Sequence, residues 1–202
     1  AALAAEAGAD ILFAPTVAEV YPAGYATTVT VAGIADVLEG AHRPGHFAGV
    51  ATVVAKMLNM VRPHVAFFGA KDAQQVAVVR RMVTDLDLGV ALEVLPIVRE
   101  PDGLAMSSRN VRLDADERSR ATALHRGLAA AATAVRTGER DAGTLARIVA
   151  GELAKDAIAA EYVAVIDPDS FEPVATVTGR TLIALAARVG PVRLIDNLEV
   201  AP

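Results

Sequence analysis

Val65-Ala66-Phe67-Phe68-Gly69-Ala70-Lys71-Asp72-Ala73-Gln74-Gln75 is the stretch that decides the fold. Four apolar residues end at a glycine, and a run with helical spacing follows. That pattern describes a short strand passing through a tight exit into a helix over about 73–84. A continuous apolar strand is expected where both faces of a parallel sheet are covered. At such an exit, backbone N–H groups and a cation, here Lys71, can converge on an anion. Asp72 could hold a ribose hydroxyl or a metal-bound water. Asp72 and Gln75 also have capping-box spacing, which serves many helix starts without any ligand. The two readings are compatible, because a helix N-terminus is itself an anion site.

Upstream, Ala1–Ala7 reads as a helix stopped by Gly8, and Asp10–Ala14 as a short buried strand closed by Pro15. Residues 26–31 are β-branched and read as extended, 34–38 as helix, and 39–45 as a loop on turn residues alone. Phe47, Val50, Val54, Met57, Leu58 and Val61 recur at three- and four-residue spacing, so a helix covers this segment and stops at Arg62-Pro63. Downstream, 90–98 gives one more strand, interrupted near Pro96. Strand and helix thus alternate over 9–98, the pattern of a parallel α/β layer.

The next informative stretch is Gly103-Leu104-Ala105-Met106-Ser107-Ser108-Arg109-Asn110. It sets two hydroxyls and a guanidinium in a Gly-flanked loop, a combination suited to phosphate oxygens although common in loops generally. Beyond it the texture changes. One long helix is expected over 114–136, opened by Asp114 with Glu117 in capping-box spacing, then a second over 142–158. Short strands follow at 162–166, 181–187 and 192–195. The boundary therefore falls near Val111, with units 1–110 and 111–202.

Composition narrows the functional classes. Hydrophobic residues make up 53% of the 202, ample for a core, and the net charge is −5. Acids and bases are interspersed, with no basic stripe for nucleic acid. No cysteine is present, which excludes thiolate chemistry and accords with a reducing cytoplasm. No apolar run is long enough to span a membrane. His42, His46, His64 and His125 show no metal-ligand spacing, and no Ser-His-Asp pattern is visible.

The two loops, taken with Phe13-Ala14-Pro15-Thr16, Leu38-Glu39-Gly40, Arg43-Pro44, His46-Phe47-Ala48-Gly49-Val50, Val98-Arg99-Glu100 and Asp196-Asn197, resemble the pantothenate synthetase (pantoate–β-alanine ligase) family. The resemblance implies the C-terminal part of a Rossmann-like nucleotidyltransferase domain followed by a small α+β domain. It implies joining of pantoate to β-alanine through a pantoyl adenylate, with ATP and Mg²⁺, in a cytoplasmic homodimer. By position it places ATP at Gly69, Ala70, Lys71, Asp72, Val98, Met106, Ser107, Ser108 and Arg109. It likewise implies that Lys71, Ser107, Ser108 and Arg109 would carry the catalytic role. Gln75, Val50, Val53 and Val54 would hold pantoate. Ala70 and Ala73 stand where the family usually has Glu and an aromatic, and Val111-Arg112 replaces a more usual Arg-Tyr order. The family's glycine- and histidine-containing phosphate loop has no counterpart in the 202 residues. The expectation is therefore an N-terminally shortened ligase, inactive alone, and the rival is a non-catalytic nucleotide-binding or subunit-interaction module. The family's strand order also implies that the strands at 10–14 and 65–68 would lack the strands between them.

Overall fold

A computed structural model describes residues 1–202. The chain begins with α1 (Ala2–Glu6) and α2 (Val17–Val20), the latter opened by a full Thr16–Glu19 capping box. A 3-10 turn at Ile34–Asp36 and α3 (Glu39–His42) lead into α4 (His46–Val61). β1 (Val65–Gly69) passes through a 3-10 turn at Ala70–Asp72 into α5 (Ala73–Asp85) and then β2 (Ala91–Leu95). After the loop come α6 (Ala115–Arg120), α7 (Ala123–Arg136) and α8 (Ala142–Lys155). The chain closes on β3 (Ala160–Ile166), β4 (Thr181–Val189) and β5 (Val192–Val200).

There are two sheets. β1 and β2 pair in parallel, Val65 opposite Ala91, as the strand–exit–helix reading requires. β3, β4 and β5 form an antiparallel sheet with β4 in the centre. The period of two along β4 divides its side chains between two cores. Ile183, Leu185, Ala187 and Val189 join the large core beneath α7 and α8, whereas Leu182 and Ala184 face Ala77 of α5 with Ile166 and Phe171. The C-terminal sheet is thus the middle layer, and α5 ties the two parts together. Gly127 lets α7 approach α8 closely: a β-carbon there would lie 3.1 Å from the Val149 carbonyl oxygen.

Several expectations need correction. Residues 10–14 form no strand. A strand exists only through its ladder, no neighbour offers one, and Ile11, Leu12 and Phe13 are 85%, 61% and 51% exposed. Residues 26–31 are likewise unpaired as a strand, although the Val29 N–H donates to Thr52 Oγ1 at 2.9 Å. The expected helix at 34–38 shrinks to the 3-10 turn, and the expected loop at 39–45 contains α3. β1 is not covered on both faces: Phe67 is 64% exposed. Asp72 does not cap α5, since its backbone sits at φ −96°, ψ 58° and its side chain makes no cap bond. The Asp114–Glu117 box does form, but the helix it opens breaks at Ala121-Thr122. There the Thr122 hydroxyl donates to the Ser119 carbonyl, a local bond that competes with the helical ladder. α8 stops at Lys155 because Ala157 turns left-handed and the Ile158 N–H folds back to the Leu153 carbonyl.

Candidate active site

The β1 exit, the N-terminal ends of α3 and α4, the 97–110 loop and β5 meet around a cavity of about 200 Å³. Lys71 and Asp72 enter it from the exit, Gln74 and Gln75 from the start of α5, Glu39 and His46 from α3 and α4, and Arg43 from the turn between them. Arg109 comes from the loop, and Tyr162, Arg193, Asp196 and Asn197 from the C-terminal sheet.

β5 holds the other segments in place. The Arg193 guanidinium grips Glu39 with two bonds of 2.7 Å, and the Tyr162 hydroxyl donates to the same carboxylate at 2.9 Å. Burial by itself would raise the Glu39 carboxyl, but the bonds from Arg193 and Tyr162 outweigh it and hold the group below its ordinary value. Glu39 in turn pushes up the Arg193 guanidinium, which also engages Glu161. Gln74 is buried. Its amide nitrogen donates to the carbonyls of Ile34 and Val37, and its oxygen accepts from the Glu39 N–H.

The 97–110 loop is closed as a hairpin-like turn, with Arg99 bridged to Ala105 and the Met106 N–H donating to the Val98 carbonyl. The Arg99 guanidinium makes bonds of 2.7 and 2.9 Å to Asp196 and a third of 3.0 Å to the Gly103 carbonyl. Gly103 is required here: at φ +92° a β-carbon would lie 2.5 Å from the His125 ring. Asn110 is buried and donates to the Ala105 carbonyl, and Ser107 Oγ accepts the Arg109 N–H.

Charges sort the cleft. Glu39 is held by Arg193, and Asp196 by Arg99. Arg43, Lys71 and Arg109 have no ion-pair partner, and Asp72 is the lining acid that no arginine engages. Unpaired cations therefore dominate a cleft that opens at a helix N-terminus, and anions are favoured there. His46 is held below its usual pKa by burial and by Arg43, with Glu39 and Asp72 opposing. No three acidic or histidine side chains converge as a metal-ligand cluster.

The expected residues divide. Lys71, Asp72, Gln75 and Arg109 come together at the cleft. Gly69 and Ala70 lie at the exit itself, and the Ala70 carbonyl accepts from Asn197. Val98 and Met106 are 66% and 51% exposed, and Ser108 is also exposed; none of these lines the cleft. Val50 and Val54 pack on the small core of α4 and α5, away from the lining, and Val53 does not line it either. Sequence reasoning assigned no role to Glu39, Gln74, Tyr162, Arg193 or Asn197. The clue for the β5 residues was the adjacent polar pair Asp196-Asn197, which breaks the alternation of apolar and charged residues along that strand.

His125 lies against Gly103 beside the Arg99–Asp196 pair, and its Nδ1 is buried without a partner. Burial, then Arg99, lowers its pKa from 6.5, against Asp196. Below about pH 6.5 the unfolded chain therefore binds protons that the folded chain resists, and stability falls as the pH drops towards the folded value. His125→Gln is expected to reduce this slope between pH 7.5 and 5.5 without removing it, because His46 acts with the same sign. Urea midpoints across that range test the point; an unchanged slope would contradict it.

These features define an α/β protein whose two loops frame a cationic ligand cleft. A family model described as pantoate-beta-alanine ligase matches residues 1–199. A pantothenate synthetase of Heliobacterium modesticaldum is 53% identical over 98% of this chain and 71% of its own length. One from Acetivibrio thermocellus is 49% identical over the same shares. The solved pantothenate synthetase of Thermus thermophilus superposes with a TM-score of 0.95 at 45% identity, covering 100% of this chain and 73% of that one. The Francisella tularensis pantoate-beta-alanine ligase, complexed with beta-gamma ATP and beta-alanine, superposes with a TM-score of 0.75 at 29% identity, covering 98% and 67%. The chain belongs to the pantoate–β-alanine ligase family, whose members make pantothenate from pantoate and β-alanine. No helix is long and apolar enough to cross a membrane.

Proposed function

We propose that the cleft binds ATP and pantoate, and that ligation proceeds through pantoyl adenylate. The observation that carries this reading is the convergence of Arg43, Lys71 and Arg109, none neutralised by a neighbouring carboxylate, at the start of α5. The ATP complex of the Francisella relative supports it. In the first step a pantoate carboxylate oxygen bonds to the α-phosphorus while the bond to the bridging oxygen breaks, releasing pyrophosphate. In the second the β-alanine nitrogen bonds to the acyl carbon, the bond to AMP breaks, and the amine gives up a proton. Neither step needs a covalent enzyme intermediate, so positioning and charge stabilisation suffice.

Lys71 and Arg109 would contact the triphosphate from the lining, with Gly69, Ala70 and Asp72 at the exit beside the nucleotide. Ser107, Ser108, Val98 and Met106, outside the lining, would reach it only if the loop moved inward. Mg²⁺ would arrive with the triphosphate. It keeps several waters and needs only one or two carboxylates, and Asp72 is the lining carboxylate that no arginine engages. Gln75, partly buried at the cleft, would bind pantoate. Val50, Val53 and Val54 stand outside the lining and would support α4 behind it.

Lys71→Ala is expected to weaken ATP binding more than pantoate binding, and Gln75→Ala the reverse. Calorimetry with each ligand tests this; equal losses for both ligands in both variants would leave only a structural helix start. The 202 residues alone are expected to yield no measurable pantothenate, since the family's phosphate loop has no counterpart among them. Turnover in the ordinary range of about 1–10³ s⁻¹ would overturn that reading.

A further inference from the structure

Two segments far apart in sequence supply the cleft's unpaired cations near the exit: 69–75 with Lys71, and 97–109 with Arg109. Adjacent residues of β5 hold both. Asn197 is buried and donates one amide hydrogen to the Ala70 carbonyl at 3.0 Å and the other to the Lys71 carbonyl at 2.9 Å. Asp196 holds Arg99, which also reaches the Gly103 carbonyl. The Asn197 N–H donates to Asp196 Oδ1 at 2.8 Å, so the bonds run without interruption from Gly103 through Arg99, Asp196 and Asn197 to Ala70 and Lys71.

The Asn197 bonds also fix direction. In a trans peptide the carbonyl and the following N–H point opposite ways. Carbonyls of Ala70 and Lys71 turned towards β5 therefore turn the N–H groups of Lys71 and Asp72 away from it. We propose that Asp196 and Asn197 are positioning residues that act as one brace, setting the exit peptides and the 97–109 loop relative to each other for nucleotide binding. Neither touches substrate in this role, and the ligand part of the proposal rests on the ATP reading above.

The test compares Asn197→Asp, which removes both amide donors at constant shape, with Asp196→Asn, which removes the charge that holds Arg99. Amide exchange followed by mass spectrometry is measured on the 202-residue chain without nucleotide, and ATP affinity is measured separately. Each variant is expected to raise exchange about tenfold or more in both 69–73 and 97–105, while α7 and α8 keep their protection. ATP affinity is expected to fall about tenfold or more in both, the effect of losing one well-placed charge-assisted hydrogen bond. If each variant loosens only the segment it touches, the brace is overturned and two separate anchors remain. Loosening of neither segment overturns positioning altogether. Loosening of both with unchanged ATP affinity overturns the ligand role. If the unaltered chain binds no ATP, the ATP reading fails and the exchange pattern still decides the brace. Should Asn197→Asp lose protection in α7 and α8 as well, Asn197→Ser, which keeps one donor, replaces it under the same criteria.

Discussion

Arg193→Met is expected to destabilise the fold by about 3–5 kcal/mol, the usual cost of stripping the partner from a largely buried charge. The Glu39 side chain is only 11% exposed and that of Arg193 21%, so water reaches the pair poorly. Tyr162 would remain as a hydrogen-bond donor but carries no charge. A domain of this size should then melt roughly 6–20 °C lower. Glu39→Gln combined with Arg193→Met is expected to recover much of the loss, because no unpaired charge is left inside. Thermal and urea unfolding of the single and double variants measure this. A loss under about 1 kcal/mol for Arg193→Met would mean that the pair behaves as a solvated one.

Arg109→Ala is expected to act in the opposite way, on ligand and not on fold. The side chain is exposed and has no intramolecular ion pair, so the stability change should stay within about 0.5 kcal/mol. Loss of a charge-assisted bond to phosphate, about 1.5–3 kcal/mol, corresponds to a roughly 10- to 150-fold weaker ATP complex. Titration with ATP alongside a melting curve separates the two effects. Unchanged affinity would remove Arg109 from the proposed triphosphate contacts.

Local periodicity made α4, α5 and the Asp114 cap legible, because each depends on residues three or four apart. The strand expected at 10–14 failed for the opposite reason. Ile11-Leu12-Phe13 has the composition of a strand, but pairing is a property of two segments, and composition describes one. The same limit hid the site's framework. Glu39 and Arg193 are 154 positions apart, and Arg99 and Asp196 are 97 apart, so nothing local announces either pair. Lys71 and Arg109 were legible because an unpaired cation at a strand exit or loop has a chemistry of its own. Gln74 was passed over for Gln75. Both line the cleft, but adjacent helical residues project about 100° apart, and only the packing of the 34–39 segment shows that the Gln74 amide is engaged by the backbone there.

β5 is translated after every segment it anchors. A ribosome that has released α3, the β1 exit and the 97–110 loop, but not yet Arg193, Asp196 and Asn197, carries the ligand-binding residues without their supports. Synthesis runs at about 5–20 residues per second, so this interval spans seconds for the segments made first. During it Glu39 stays hydrated and the cleft is unassembled. A cleft whose keystone follows the segments it braces would leave a half-made chain without the assembled pocket proposed to bind nucleotide.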